Sequence, residues 1–156
     1  MIPEVNDSAP DFTLLNTEGN KISLADFKEK QKVVLLFFPL AFSSVCTEEL
    51  CFTRDNMKLY HAMNARVLAV SVDSFFALNA FKKAENLNFT LLSDFNKEVA
   101  RSYNVLYEDY FGMKGVARRA VFVIGEDGII RHREVLEDSG DLPDFKAVQQ
   151  VLGTLS

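Results

Sequence analysis

The stretch Pro39-Leu-Ala-Phe-Ser43-Ser-Val-Cys46-Thr-Glu-Glu-Leu-Cys51 decides how the rest of the chain is arranged. It follows the apolar run 33–38, which predicts a buried strand, and it opens the segment 47–63, which has helical character. Cys46 is therefore expected where a strand meets the N-terminus of a helix. The first turn of a helix has unpaired backbone N–H groups and the positive end of the helix dipole, so it favours a thiolate over a thiol.

Two more residues of this stretch suit a reactive cysteine. Ser43 stands three residues before Cys46, where its hydroxyl can donate a hydrogen bond to the sulfur or to a bound oxygen. Pro39 fixes φ at the end of the strand and so helps to set the loop. Cys46 is thus predicted to be a nucleophile, although a cysteine in an apolar context is more often a small buried hydrophobe.

The chain around this stretch predicts an α/β protein with a central sheet and helices on both faces. The apolar runs 33–38 and 66–71 flank the helical segment, which is a βαβ pattern and implies parallel pairing. Turn residues and hydrophobic periodicity predict two hairpins, 11–15 with 21–23 and 120–124 with 129–134, a short strand at 89–92, and further helices at 73–86, 96–103 and 144–155.

Composition limits the class of protein. With 156 residues and 48% apolar content, the chain is expected to fold as a single domain over 1–156. A net charge of −5 argues against binding to nucleic acid or to an anionic membrane. The sequence shows neither a leader pattern nor an apolar stretch of roughly 20 residues, so we expect a soluble, cytoplasmic protein without a membrane span.

The pattern Pro39-x-x-x-Ser43-x-x-Cys46 resembles the Pro-x-x-x-Thr/Ser-x-x-Cys motif of the peroxiredoxins, the AhpC/TSA superfamily. Ser43 replaces the commoner threonine and retains the hydroxyl. The spacing of Cys46 and Cys51 is most similar to the bacterioferritin-comigratory-protein or Q-type branch. The resemblance implies a thioredoxin fold with an N-terminal β-hairpin extension, and it includes the segments Ala9–Phe12, Arg54–Asp55, Val67–Val72 and Arg119–Ile124.

The resemblance also implies the chemistry. The Cys46 thiolate would attack the terminal oxygen of hydrogen peroxide or an organic hydroperoxide and become a sulfenic acid. Donors to the developing charge would be the Ser43 hydroxyl, backbone N–H groups and an arginine. Alternation along the strand at 120–124 puts Arg118 and Arg119 on opposite faces, and the family pattern selects Arg119.

The resemblance to the Q-type branch implies that Cys51 is the resolving residue of an atypical two-cysteine enzyme. Five residues along an ideal helix separate two Cα atoms by about 8.6 Å, which exceeds the roughly 7 Å limit for a disulfide. Hence the first turns of the helix must unwind if Cys51 is to reach Cys46. The alternative is a one-cysteine enzyme in which an external thiol resolves the sulfenic acid.

Other expectations follow from residues that are present or missing. Because no Gly-x-Gly-x-x-Gly motif follows a strand, no nicotinamide or flavin cofactor is expected and an external reductant is needed. The resemblance to the peroxiredoxins implies that this reductant is thioredoxin or a similar dithiol protein. The histidines His61 and His132 lie at no ligand spacing from a cysteine, so no metal is expected. Glu49 either orients the loop or is solvated, and Arg54 is expected at the surface.

Three further questions stay open at this point. A disulfide oxidoreductase of thioredoxin type is disfavoured because the chain lacks Cys-x-x-Cys. A non-enzymatic redox sensor or chaperone-like protein on the same scaffold is a second alternative. Monomer and homodimer are equally compatible with the sequence.

Overall fold

The structure is a computed structural model that describes residues 1–155. A mixed sheet of seven strands lies at its centre in the order β2-β1-β5-β4-β3-β8-β9, and β6 and β7 form a separate two-stranded sheet. The strands are β1 Thr13–Asn16, β2 Lys21–Ser23, β3 Lys32–Phe37, β4 Ala65–Ser71, β5 Thr90–Ser93, β6 Leu106–Tyr107, β7 Val116–Ala117, β8 Ala120–Ile124 and β9 Ile130–Val135. The helices are α1 Ser44–Asp55, α2 Met57–Ala62, α3 Phe75–Ala84, α4 Glu98–Ser102 and α5 Phe145–Thr154, with a 3₁₀ helix at Leu24–Phe27.

The strand β3, which lies in the interior of the sheet between β4 and β8, is followed by the loop that leads to Cys46. It pairs in parallel with β4, with Val34 opposite Val67, and antiparallel with β8 on its other side. All of β3 is buried, because helices cover both faces of the sheet. The predicted βαβ unit is therefore confirmed.

Alternation along the strands divides the core into two layers. Val34 and Leu36 of β3 face one layer with Leu50 of α1, together with residues of α2, α3 and α5. Val33 and Leu35 face the opposite layer, which α4, the 3₁₀ helix and part of β7 cover. Successive residues of β3 and of β8 thus point alternately into one layer and into the other.

The N-terminal hairpin of β1 and β2 extends the sheet by pairing antiparallel with β5. The architecture predicted from the sequence, an α/β fold with a mixed sheet between helices and an N-terminal hairpin, is confirmed. Among the described residues, no helix is long and apolar enough to cross a membrane.

The helical segment after the motif differs from the prediction of one helix over 47–63. The helix begins three residues earlier, at Ser44, and it is interrupted at Asn56, whose side-chain amide donates to the Phe52 carbonyl at 2.8 Å. Asparagine side chains compete with backbone hydrogen bonds in this way and so break helices. The earlier start places Cys46 in the first turn of α1.

The two-residue strands β6 and β7 were not predicted. They pair antiparallel, with Leu106 opposite Ala117. Strands this short contain too few residues for a period-two pattern to be recognised.

Candidate active site

Cys46 is the third residue of α1 and is completely buried. The turn that carries it is closed by Thr47, whose backbone N–H and side-chain hydroxyl both donate to the Ser43 carbonyl, at 2.9 and 2.8 Å. The backbone N–H groups of the first helical turn have no partners within the helix. Cys46 therefore lies at the end of α1 where the helix dipole stabilises negative charge.

Arg119, the residue directly before β8, contacts the Cys46 sulfur. Its Nη2 donates to Cys46 Sγ at 3.3 Å, and the whole residue is buried. Side chains alternate along a strand, so Arg119 points to the same face of the sheet as Val121 and Val123, which face the layer of α1. Arg119 therefore places a positive guanidinium in direct contact with the Cys46 sulfur.

Arg118 faces the other way. Its Nη2 bonds to Glu137 Oε1 at 2.7 Å, and its guanidinium carbon lies 5.9 Å from the centre of the Tyr107 ring. Of the two neighbouring arginines, the structure thus brings Arg119 to Cys46, the arrangement expected from the sequence.

Glu49 lies one helical turn after Cys46 and is completely buried. Its Oε1 accepts from Arg119 Nη1 at 2.5 Å, while the Ser139 carbonyl accepts from Nε and Nη2 of the same arginine at 3.1 and 2.9 Å. The guanidinium is thus fixed on three sides, by Glu49, Ser139 and Cys46. Of the two expectations for Glu49, the solvated side chain is wrong, because α1 presents this face to the sheet.

The ionisation of Glu49 is unusual. Burial raises its pKa to about 7, although the charge of Arg119 and the hydrogen bond from it act in the opposite direction. Its second oxygen, Oε2, is buried without a hydrogen-bond partner among the described residues. Arg119 therefore stabilises the charged form of the buried Glu49 carboxylate, and Glu49 fixes the position of the Arg119 guanidinium.

The Ser43 hydroxyl donates to the Leu40 carbonyl at 2.8 Å. A hydroxyl has one proton and two lone pairs, so this bond uses its only proton and leaves the oxygen as an acceptor. The expectation that Ser43 donates to the sulfur or to a bound oxygen is corrected in this respect. Its oxygen can instead accept the proton of a hydroperoxide.

The loop between β3 and α1 is fixed by Asp73, a residue of the site that was not predicted from the sequence. Asp73 Oδ2 accepts from the Ala41 N–H at 2.8 Å and from the Ser71 hydroxyl at 2.6 Å. Pro39 is buried two residues after the end of β3. The only sequence signal for Asp73 was its place just after a buried strand, at the same sheet edge as the motif.

Cys51 lies in the same continuous helix as Cys46 but faces another part of the protein. Both cysteines are free thiols, and Cys51 Sγ contacts Glu85 Oε2, just after α3, at 3.6 Å. Arg54 anchors this region through a bond from Nη1 to the Glu85 carbonyl at 2.6 Å and pairs with Asp55. The structure therefore does not bring the two cysteines together, which agrees with the helix geometry expected from their spacing.

Neither histidine belongs to this site. His61 is exposed, and His132 Nε2 lies 2.9 Å from Glu134 Oε2. Within residues 1–155, no group of three His, Cys, Asp or Glu side chains is placed to hold a metal ion.

The combination of fold and site defines a class of protein. A cysteine at a helix N-terminus, in contact with a buried arginine and three residues after a serine, is suited to attack an electrophilic oxygen, and the arginine is suited to stabilise the charge on the leaving oxygen. On a thioredoxin-like sheet, this is the site of a thiol-dependent peroxidase.

Comparison with known proteins identifies the family. Residues 5–133 match the AhpC/TSA family, and the chain belongs to this family of peroxiredoxins. It is 40% identical over 161 residues to a chloroplastic 2-cysteine peroxiredoxin of Chattonella marina var. antiqua, with 97% of this chain and 78% of the relative covered. It is 39% identical to the mitochondrial thioredoxin-dependent peroxide reductase of Rattus norvegicus, covering 96% of this chain and 59% of that relative's length.

Solved structures confirm the thioredoxin-like peroxiredoxin fold. The reduced 2-Cys peroxiredoxin of Plasmodium vivax superimposes with a TM-score of 0.86 at 29% identity, over 96% of this chain and 80% of the other. Peroxidoxin BcpB of Mycobacterium tuberculosis superimposes with a TM-score of 0.87 at 26% identity, over 97% of each chain.

Proposed function

We propose that this protein reduces hydrogen peroxide and organic hydroperoxides through a sulfenic acid on Cys46, that Cys51 resolves this acid as an intramolecular disulfide, and that a dithiol protein such as thioredoxin restores the enzyme. The observation that carries the proposal is the contact of 3.3 Å between Arg119 Nη2 and Cys46 Sγ inside the buried ion pair with Glu49.

In the first step, the Cys46 thiolate attacks the terminal oxygen of the hydroperoxide. A sulfur–oxygen bond forms, the O–O bond breaks, and the leaving oxygen takes a proton to become water or an alcohol. Arg119 is fixed before the reaction begins, so its donors require no rearrangement to stabilise the charge that develops. The Ser43 oxygen accepts the proton of the peroxide and orients it.

Access to the sulfur requires a local movement. Cys46 has no exposed surface in this structure, so a hydroperoxide reaches the sulfur only after the 39–43 loop or side chains above it shift. The enclosed sulfur keeps bulk water away from the reaction, which strengthens the interaction of Arg119 with the developing charge.

Resolution by Cys51 is supported by the spacing of the two cysteines, which is similar to that of the Q-type branch. The Cys51 thiolate would attack the sulfur of the sulfenic acid and release hydroxide, which takes a proton to become water. Because both cysteines lie within α1, the first turns of this helix must unwind before the disulfide forms. Thioredoxin as reductant is supported by the similarity to the mitochondrial thioredoxin-dependent peroxide reductase of Rattus norvegicus.

One observation favours a second candidate function, a one-cysteine peroxidase with an external resolving thiol. Cys51 is held by Glu85 while α1 is intact, so the sulfenic acid on Cys46 meets no internal thiol in this conformation. The two candidates share the peroxide step and differ only in how the sulfenic acid is removed.

One experiment separates them. The reduced protein receives one equivalent of hydrogen peroxide, and mass spectrometry then maps the state of both cysteines in the wild type and in Cys51→Ser. We expect a Cys46–Cys51 disulfide in the wild type and a persistent sulfenic acid in the variant. A sulfenic acid on Cys46 that persists in the wild type, with no disulfide, would establish the one-cysteine route, and an unreacted Cys46 would overturn the proposed peroxidase.

A further inference from the structure

The contact between Cys51 and Glu85 has no part in the peroxide step. The thiol donates to Glu85 Oε2 at 3.6 Å, across the junction between α1 and the segment that follows α3. A carboxylate that accepts a hydrogen bond from a thiol stabilises the protonated form, and its negative charge disfavours the thiolate.

The C-terminal half of α1 is attached to its surroundings independently of the N-terminal half. Arg54 Nη1 donates to the Glu85 carbonyl at 2.6 Å, Asn88 Nδ2 donates to the Arg54 carbonyl at 3.4 Å, and the rings of Phe52 and Phe145 lie 5.1 Å apart. Cys51 can therefore stay docked while the turn that carries Cys46 unwinds.

Ionisation of Cys51 is opposed at this place. Burial raises the pKa of the thiol, Arg54 lowers it, and Glu85 and Asp55 raise it further. Attack on a sulfenic acid requires the thiolate, so the charged groups around Cys51 control how often it is ready to react.

We propose that Glu85 restrains resolution: its carboxylate holds Cys51 as a docked, protonated thiol, so that the sulfenic acid on Cys46 persists until this contact breaks, while Arg54 counteracts Glu85 by favouring the thiolate. The inference rests on the proposed role of Cys51 as resolving residue. It makes Glu85 and Arg54 positioning residues, which act through Cys51 on the competition between internal resolution and attack by an external thiol or a second peroxide.

The step itself is balanced without any further reactant. The Cys51 thiol releases its proton to solvent, the thiolate forms a bond to Cys46 Sγ, and the sulfur–oxygen bond breaks. The leaving hydroxide takes a proton and becomes water. One sulfur is oxidised and the other reduced, and the product is the disulfide.

The test measures the rate of disulfide formation against pH. Each protein receives one equivalent of hydrogen peroxide, and dimedone traps the remaining sulfenic acid at set times. Mass spectrometry then measures the fraction of each protein that contains the Cys46–Cys51 disulfide. Glu85→Gln keeps the size of the side chain and the backbone carbonyl that binds Arg54, but it removes the charge. Glu18→Gln, in the exposed turn of the N-terminal hairpin, is the control for the loss of one negative charge.

We expect Glu85→Gln to shift the midpoint of the pH profile downwards, because the carboxylate charge that disfavours the thiolate is removed. The larger thiolate fraction at neutral pH outweighs the lower nucleophilicity of that thiolate, so resolution should become about threefold faster. Arg54→Gln should shift the midpoint upwards and slow resolution, Arg54→Lys should do so less, and Glu18→Gln should match the wild type.

The rate of sulfenic acid formation on Cys46 shows whether each variant is folded, because Glu85 and Arg54 do not contact Cys46. If the disulfide forms in Glu85→Gln with the wild-type rate and pH profile, or more slowly, the proposal that Glu85 restrains resolution is wrong. Resolution by Cys51 would still stand in that case. If the wild type forms no Cys46–Cys51 disulfide at all, the proposed resolution fails and this inference fails with it.

Discussion

Arg119 and Glu49 form an ion pair of 2.5 Å with both side chains almost completely buried, although they lie 70 residues apart in the chain. The guanidinium that Glu49 holds is the group that contacts Cys46. Two charges taken out of water in this way are costly unless every partner is in place. This pair links the stability of the fold to the reactivity of the sulfur.

Replacement of Arg119 by lysine should slow the reaction with peroxide. Lysine keeps the charge but cannot contact Glu49, Ser139 and Cys46 together, because it lacks the planar fork of arginine. We expect the second-order rate constant with hydrogen peroxide to fall about 100-fold. Stopped-flow measurement of Arg118→Lys provides the matched control, with a change below about twofold; similar losses in both variants would contradict the assignment.

The stability of the protein should depend on the ionisation of Glu49. Since the folded state raises the pKa of Glu49 from 4.5 to about 7, the folded protein binds more protons than the unfolded chain between these two values. The contribution of Glu49 to the free energy of unfolding therefore falls as the pH rises from about 4.5 to about 7, by up to about 3 kcal/mol, and is constant above that.

Urea unfolding of the wild type and Glu49→Gln at pH 5 and pH 8 measures this contribution, because the other titrating groups are common to both proteins. The wild type should lose stability relative to Glu49→Gln on going to pH 8. A difference between the two proteins that is independent of pH would show that Glu49 keeps its ordinary ionisation in the folded state.

The hydroxyl of Ser43 should contribute to the peroxide step as an acceptor. Ser43→Ala removes the oxygen that orients the peroxide and is expected to lower the rate constant about tenfold, the effect of one hydrogen bond of about 1.4 kcal/mol. Ser43→Thr keeps the hydroxyl and should stay within a few-fold of the wild type. Equal rates for alanine and threonine would exclude a role for the hydroxyl.

Oxidation should unwind one half of α1 and not the other. Hydrogen exchange after treatment with peroxide should show loss of protection over 44–50, where the chain must move to form the disulfide, and retained protection over 51–55, which Arg54 holds to the Glu85 carbonyl. In Cys51→Ser, the same treatment should leave 44–50 protected. Protection of that segment in the oxidised wild type would contradict unwinding.

Local patterns in the sequence predicted which secondary-structure elements carry Cys46 and Arg119. The apolar run before Pro39, the helical segment after it and the alternation at 120–124 place Cys46 at a strand-to-helix junction and Arg119 on one defined face. These features depend on residues close together in the chain, whose periodicity is visible without the fold. The motif then assigned the chemistry to the cysteine.

The tertiary structure decided everything that depends on partners far apart in the chain. A glutamate in a polar helix looks like a solvated residue, and only packing of α1 against β8 turns Glu49 into a buried partner of Arg119. The Ser139 carbonyl and the Asp73 carboxylate reach the site from separate loops, and the Glu85 carboxylate reaches Cys51. No periodicity encodes such contacts, because they arise when the sheet assembles. The sequence alone thus predicted which sulfur is the nucleophile, and the folded chain decided which charges surround it.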